Sequence, residues 1–117
     1  MTIEDLIIEA LRARDRFWFI QEFQLKERTD KTVTLHFIIG TDLWVQAFYS
    51  QRGDRFSLAL IGSSGRLYGR DKEHGYWHLD PFGQADQHVL TPEGLSSQPI
   101  HQFLAEVGEI LIENELI

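Results

Sequence analysis

Hydrophobic and polar residues alternate along the chain with two different spacings, and each spacing predicts one type of element. Thr2 to Asp5 has the composition of a capping box, which predicts a helix that starts there and runs to about Arg14. Its apolar residues recur on one helical face: Ile3, Leu6, Ile7, Ala10 and Leu11. Ser96 to Pro99 is typical of a second helix start. The apolar stripe of this helix comprises Ile100, Phe103, Leu104, Val107 and Leu111.

Between these helices, the alternation has the period of two that is typical of half-buried strands. The alternating segments are residues 17–27, 31–39, 43–50 and 55–62, with 66–71 as a candidate fifth strand. Short connections favour antiparallel neighbours, because parallel strands need a crossover of about a dozen residues. We therefore predict an α+β fold: an antiparallel β-meander of four to five strands with the N-terminal and C-terminal helices packed on one face.

Residues 66–89 show no sustained helical or strand pattern, and we interpret most of this segment as a long loop before the closing helix. It holds three of the five histidines, His74, His78 and His88. Loops longer than about 12 residues are uncommon in compact domains and are often functional. Aromatic residues such as Trp77 predict that the loop packs against the sheet with its histidines near the surface.

The composition indicates one domain spanning residues 1–117, because 43% hydrophobic residues suffice for one core. The chain has no cysteine, which excludes disulfides and cysteine-based zinc sites and favours a reducing cytoplasm. No apolar run approaches the roughly 18 residues that a membrane span needs. Glu4 and Asp5 near the start are unlike a signal peptide, so we expect a soluble protein without membrane contact.

The charges are distributed unevenly around a net value of −7. All eleven Lys and Arg residues lie between Arg12 and Lys72, where seven acids leave a net charge of +4. Residues 73–117 contain eight acids and neither Lys nor Arg. Indiscriminate nucleic-acid binding is disfavoured, because it depends on clustered cations. A local positive face on the middle segment remains open, as does an acidic surface for a basic partner.

Two kinds of chemistry fit the histidine-rich segment. His78, Asp80 and His88 could ligate a divalent metal, since imidazole and carboxylate suit zinc, manganese or iron. Alternatively, two histidines without a metal or other cofactor act as general base and general acid, as RNA cleavage requires. Arg70 suits the developing charge on the phosphate, because a planar guanidinium grips phosphate oxygens. The competing interpretation is structural: surface histidines, a salt-bridged Arg70-Asp71 strand end and Trp77 in the core.

Three motifs resemble the TumE-like toxin family of prokaryotic toxin–antitoxin pairs. They are Leu67-Tyr68-Gly69-Arg70-Asp71, then Trp77-His78 with Pro81-Phe82, then Asp86-Gln87-His88. The resemblance covers roughly residues 17–112. The family's paired histidines are single here, Lys72 stands where Asn is expected, and the lysine of the final cluster is missing. The resemblance implies a toxin with an antitoxin as its protein partner, whereas RNA cleavage is inferred from the residue chemistry alone.

We therefore predict a toxin-like component of a toxin–antitoxin pair that cleaves RNA. The predicted catalytic residues are Arg70, Asp71, His78 and His88. The predicted binding residues are Trp77, which positions a base or closes the loop, with His74 and Lys72. The alternative is a non-catalytic protein-interaction module. A sheet with one face free of helices also allows a homodimer.

Overall fold

The computed structural model of the chain describes residues 1–83, 89–90 and 97–117. These residues form two helices and one antiparallel sheet, whose strands lie side by side in chain order. The elements are α1 Ile3–Arg16, β1 Glu22–Arg28, β2 Thr32–Gly40, β3 Leu43–Ser50, β4 Arg55–Gly62, β5 Gly65–Glu73, β6 Tyr76–Asp80, β7 Val89–Leu90 and α2 Pro99–Glu113. The predicted α+β class and antiparallel meander are confirmed. Neither of these helices is long and apolar enough to cross a membrane.

Helix α1 begins with the predicted capping box. The Thr2 hydroxyl accepts a hydrogen bond from the Asp5 backbone N–H at 3.0 Å, and the Asp5 carboxylate accepts one from the Thr2 N–H at 3.2 Å. These two bonds satisfy donors that a helix start otherwise leaves without an intrahelical partner. The helix ends at Arg16, two residues beyond the predicted Arg14, with Phe17 as its C-cap.

The first turn of α2 receives its capping hydrogen bond from the other helix. The Glu9 carboxylate of α1 accepts a hydrogen bond from the His101 backbone N–H at 2.9 Å, and the same oxygen lies 3.3 Å from His101 Nδ1. A negative charge at this position is favourable, because the N-terminal end of a helix dipole is positive. Glu9 is buried and therefore ties the two helices together where their faces meet.

Both helices pack on the same face of the sheet, as predicted. We call this the helix-covered face and the opposite one the helix-free face. The strands contribute alternate residues to the core: Val33, Leu35, Phe37 and Ile39 from β2, Val45, Ala47 and Tyr49 from β3, and Phe56, Leu58 and Leu60 from β4. The helices contribute Ile3, Leu6, Ala10, Ala13, Ile100, Phe103, Leu104, Val107 and Leu111. The period of two therefore separates core side chains from those of the helix-free face.

The first strand differs from its prediction, because it begins at Glu22 and residues 17–21 connect α1 to β1. Phe19 is buried in this connection, and its ring lies close enough to α2 that a Cβ at Gly108 would be 3.1 Å from it. The alternating aromatic residues of this segment thus reflect packing of a turn against a helix. A bulge between Leu25 and Glu27 then shifts the register of β1 on β2.

The candidate fifth strand at residues 66–71 is confirmed as part of β5, but the loop predicted after it is wrong at residues 72–80. Residues 65–80 form a β-hairpin in which β5 pairs with β6, and Val89–Leu90 pairs with β6 on the other side. The described sheet therefore has six strands of five or more residues and a short seventh, instead of four to five. His74 and Gly75 both have positive φ, 52° and 82°, as a two-residue type I′ turn requires. The usual sequence for that turn is Asn-Gly or Asp-Gly, which explains why His-Gly was missed.

Strand β5 is held to helix α2 by a partly buried group of polar side chains. Arg70 donates from Nε and Nη2 to the two carboxylate oxygens of Glu106, at 2.8 and 3.1 Å. The Tyr68 hydroxyl donates to the same carboxylate at 2.6 Å. Only 13% of the Arg70 side chain is exposed. Such bidentate, charge-assisted bonds fix both position and orientation, so they set the place of β5 relative to α2.

Replacing Glu106 should destabilise the fold strongly. Glu106→Ala leaves the Arg70 guanidinium buried without its carboxylate, and we expect the free energy of unfolding to fall by about 3 kcal/mol. Urea denaturation measures this change. Glu109→Ala is the matched control, because Glu109 is exposed on the same helix. Equal losses in the two variants would contradict the structural role of the Glu106 pair.

The same group predicts how stability changes at alkaline pH. Burial, followed by the hydrogen bond to Glu106, raises the pKa of the Tyr68 hydroxyl well above its ordinary value. Above about pH 10 the unfolded chain releases this proton while the folded chain keeps it, so stability falls as pH rises. Tyr68→Phe removes the ionisable group and should lessen the loss between pH 9 and about pH 11 in thermal denaturation. A loss equal to that of the wild type would show that Tyr68 does not contribute.

Candidate functional site

The predicted site residues of β5 and β6 are divided between the two faces of the sheet. Asp71 lies on the helix-free face, while its neighbours Arg70 and Lys72 lie on the helix-covered face. On β6, His78 pairs with Asp71 and shares its face, whereas Trp77 pairs with Lys72 on the helix-covered face. The side-chain alternation of a strand requires this division, because consecutive residues point to opposite faces.

The residues on the helix-covered face have structural contacts. Arg70, predicted to grip phosphate, is held by Glu106; burial lowers its pKa, but its hydrogen bonds to Glu106 and the charge of that group outweigh this and raise it. Lys72 binds the carboxylate of Asp54. Trp77 stacks on Phe56 with ring centroids 5.7 Å apart and packs against the core. These contacts agree with the interpretation that Arg70 and Trp77 are structural residues.

The helix-free face carries a cluster of three charged side chains, Arg66, Asp71 and Asp80, which we call the ionic cluster. Arg66 Nη2 lies 2.9 Å from Asp71 Oδ2 and 3.3 Å from Asp80 Oδ2. The exposed fractions of the side chains are 31% for Arg66, 25% for Asp71 and 5% for Asp80. Two acids on one base leave a formal charge of −1.

The ionic cluster depends on two irregular features of β5. A bulge between Leu60 and Ile61 leaves Leu67 out of the pairing and places Arg66 opposite Ile61, on the helix-free face. Strict alternation would have placed Arg66 with Arg70 on the other face. Gly69 lies beneath the guanidinium, and a Cβ at Gly69 would be 1.8 Å from Arg66 Nη2. The bulge aims Arg66, and the missing side chain at Gly69 makes room for it.

His78 is the histidine that the fold brings to this cluster. It pairs with Asp71 across β5 and β6, which places their Cβ atoms roughly 4.5–5.5 Å apart. His74 lies in the turn at the end of the hairpin, away from the ionic cluster along the strand. His88 lies outside the described residues; the strand that follows it, Val89–Leu90, pairs with β6.

Two atoms of the cluster have unused hydrogen-bonding capacity within the described residues. Arg66 Nε and Asp71 Oδ1 are buried there without a hydrogen-bond partner. Buried polar atoms without partners cost free energy, so each requires an explanation. The predicted metal ligands His78 and Asp80 share the face, but the described residues form no group of three or more side chains able to hold a metal. The third predicted ligand, His88, is not among them.

Apolar and aromatic side chains occupy the other half of the helix-free face. Ile38, Trp44 and Ile61 form one cross-strand row on β2, β3 and β4, and Phe48 lies further along β3. All four are partly exposed. His36 lies beside them and its Nε2 is 2.9 Å from the side-chain oxygen of Gln46. The alternation of strand β2 predicted that His36 lies on its polar face. It did not show that Trp44 and the ionic cluster lie on the same face of the sheet as His36.

Comparisons with protein-family models, with curated proteins and with solved structures find no match for this chain. The resemblance to TumE-like toxins therefore stays a prediction. Arg66 was not among the predicted site residues, and Asp80 was predicted only as a metal ligand. Gly69, between Tyr68 and Arg70 in the candidate strand, was the available indication, because glycine within a strand often marks close approach of another group.

Substitution of Gly69 tests the geometry of the ionic cluster. Gly69→Ala forces the Arg66 guanidinium away from both carboxylates, so we expect a loss of about 1–3 kcal/mol in the free energy of unfolding. Within an ordinary strand the same change would add stability, because glycine weakens strands. Gly40→Ala is the matched control, since a Cβ at Gly40 meets nothing within 4 Å. If Gly69→Ala is as stable as Gly40→Ala in urea denaturation, Arg66 does not lie over Gly69.

Proposed function

We propose that this protein is the toxin-like component of a toxin–antitoxin pair and cleaves RNA on its helix-free face. The observation that supports this most directly is the grouping of Arg66, Asp71 and Asp80 beside His78 on the face that neither helix packs against. Histidine is the side chain that most often serves as general acid or base, and neighbouring fixed charges can orient it. The three motifs that resemble TumE-like toxins include Asp71 and His78.

Each residue has a role in the proposed reaction. RNA cleavage needs a base that takes the proton of the 2′-hydroxyl and an acid that protonates the leaving oxygen. His78 performs one of these steps and His88 the other, and Asp71 orients His78 from the neighbouring strand. The cation near the phosphate is Arg66 instead of Arg70, because Arg66 lies on the same face as His78 while Arg70 is held by Glu106.

A second candidate function is a non-catalytic protein-interaction module, and the charge of the helix-free face favours it. By strand register, this face carries the acids Glu22, Glu27, Asp71, Glu73 and Asp80 against the bases Arg55 and Arg66. An acidic surface holds the phosphates of RNA poorly, because that binding depends on cations. The module would bind a protein through the same face without chemistry at His78.

Bacterial growth after induced expression distinguishes the two functions. The wild type should arrest growth and degrade cellular RNA, and His78→Ala should abolish both effects at equal soluble level. His74→Asn is the matched control: it removes an imidazole from the same hairpin, and asparagine tolerates the positive φ of this turn position. It should remain as toxic as the wild type.

Other outcomes would decide against RNA cleavage. If His78→Ala arrests growth as strongly as the wild type, the toxicity does not come from His78 chemistry. If purified protein leaves structured and unstructured RNA intact from pH 5 to 8, with and without divalent metal, the nuclease proposal fails. The interaction module would then be the better interpretation, with or without growth arrest.

A further inference from the structure

The helix-free face combines an apolar half and an acidic half. Trp44 and Phe48 lie on β3 on one side, and the ionic cluster lies on β5 and β6 on the other. Between them lie the small residues Ser57 and Ala59 of β4, and the Arg66 guanidinium lies over Gly69 of β5. No described helix or strand covers this face.

Two cavities of the described residues lie away from this face, and a third, about 210 Å³, lies at one end of it beside Arg55 and Glu73. The larger of the two, about 550 Å³, is at the end of the sheet and is lined by Leu43, Leu67 and the C-terminal Leu116 and Ile117 among others. The other, about 230 Å³, lies between the two helices near Glu9 and His101. Small molecules bind preferentially in such concave sites. The broad helix-free face has the shape that suits an extended macromolecular segment.

The charge of the face selects the type of segment. Five acids against two bases give this face a formal charge of −3, and Arg66 is already shared by two carboxylates. A second copy of the chain would bring the same acidic face and would be repelled, whereas a basic segment would be attracted. The Asp71 side chain is 25% exposed, so its carboxylate can accept a hydrogen bond from a cationic donor.

We propose that the helix-free face is the docking surface for a protein segment that carries apolar side chains and at least one Lys or Arg. The apolar side chains of the segment pack on Trp44 and Phe48, and its Lys or Arg binds Asp71 of the ionic cluster. Aromatic side chains together with a charged pair are the usual composition of a binding hot spot. Such a segment would cover His78 and Asp71 and so block RNA cleavage, and this regulatory role rests on the proposed function. The docking surface itself does not depend on RNA cleavage.

Selection from a phage-displayed library of random dodecapeptides tests the docking surface on the full-length protein. We expect enrichment of peptides that combine aromatic or aliphatic residues with Lys or Arg. The Kd of individual synthetic peptides, measured by fluorescence polarisation, should rise about tenfold for Asp71→Asn. It should also rise for Phe48→Thr, which shortens an apolar contact while keeping a residue suited to strands. Glu109→Gln, which removes one acid from α2, should bind as the wild type does.

Several results would overturn the proposal. These are the absence of enriched peptides, enrichment of peptides without Lys or Arg, or equal Kd values for the wild type and Phe48→Thr. If circular dichroism shows that Asp71→Asn does not fold, the Kd of Phe48→Thr and the salt dependence of wild-type binding test the proposal instead. Peptide binding should weaken between about 50 and 300 mM salt, because exposed charges are screened. Growth arrest by the wild type without peptide binding would remove this proposal alone. Peptide binding without RNA cleavage would remove the nuclease alone.

Discussion

The two helices cover one face of the sheet, and the side-chain alternation of the strands makes every other feature depend on this. In each strand, alternate side chains lie in the core and the intervening ones lie on the helix-free face. Adjacent residues of β5 consequently have unrelated roles. Arg70 supports the packing of α2, and Asp71 belongs to a polar site one residue further on. Chemistry on the helix-free face can therefore change without repacking of the core.

Polar contacts fix where the helices lie on the sheet. Hydrophobic burial brings α1 and α2 to the core face, but it is not directional and leaves their exact orientation open. Glu9 binds the start of α2, and Glu106 in the middle of the same helix binds Arg70 and Tyr68 of β5. Carboxylates with several donors at short distances are directional. They align α2 with β5, the strand that carries two of the three residues of the ionic cluster.

The ionic cluster is an expensive arrangement for stability alone. Burying two carboxylates around one guanidinium costs desolvation that their attraction repays only in part, and apolar replacements of such groups are often neutral or stabilising. Asp71 also keeps an oxygen without a hydrogen-bond partner in the described part of the chain. A bulge and a glycine are both needed to assemble the cluster. The cost of the ionic cluster therefore indicates a role beyond stability for the helix-free face, whereas Arg70 on the helix-covered face has a structural partner.

The sequence by itself determined the class of fold, the capping of α1 and the strands from β2 to β4, because their hydrophobic periods and turns are local properties. It did not determine the β5 to β6 hairpin, since His-Gly at a type I′ turn is an unusual choice that tertiary pairing stabilises. Only the tertiary structure decided which site residues meet. Asp71 and His78 come together through strand pairing, Arg66 joins them through a bulge, and Arg70 is bound by Glu106, 36 residues away. Register and long-range contacts are collective properties of the folded chain. Residue spacing therefore predicted Asp71 and His78 as site residues, but it could not show that Arg70 lies on the opposite face of the sheet.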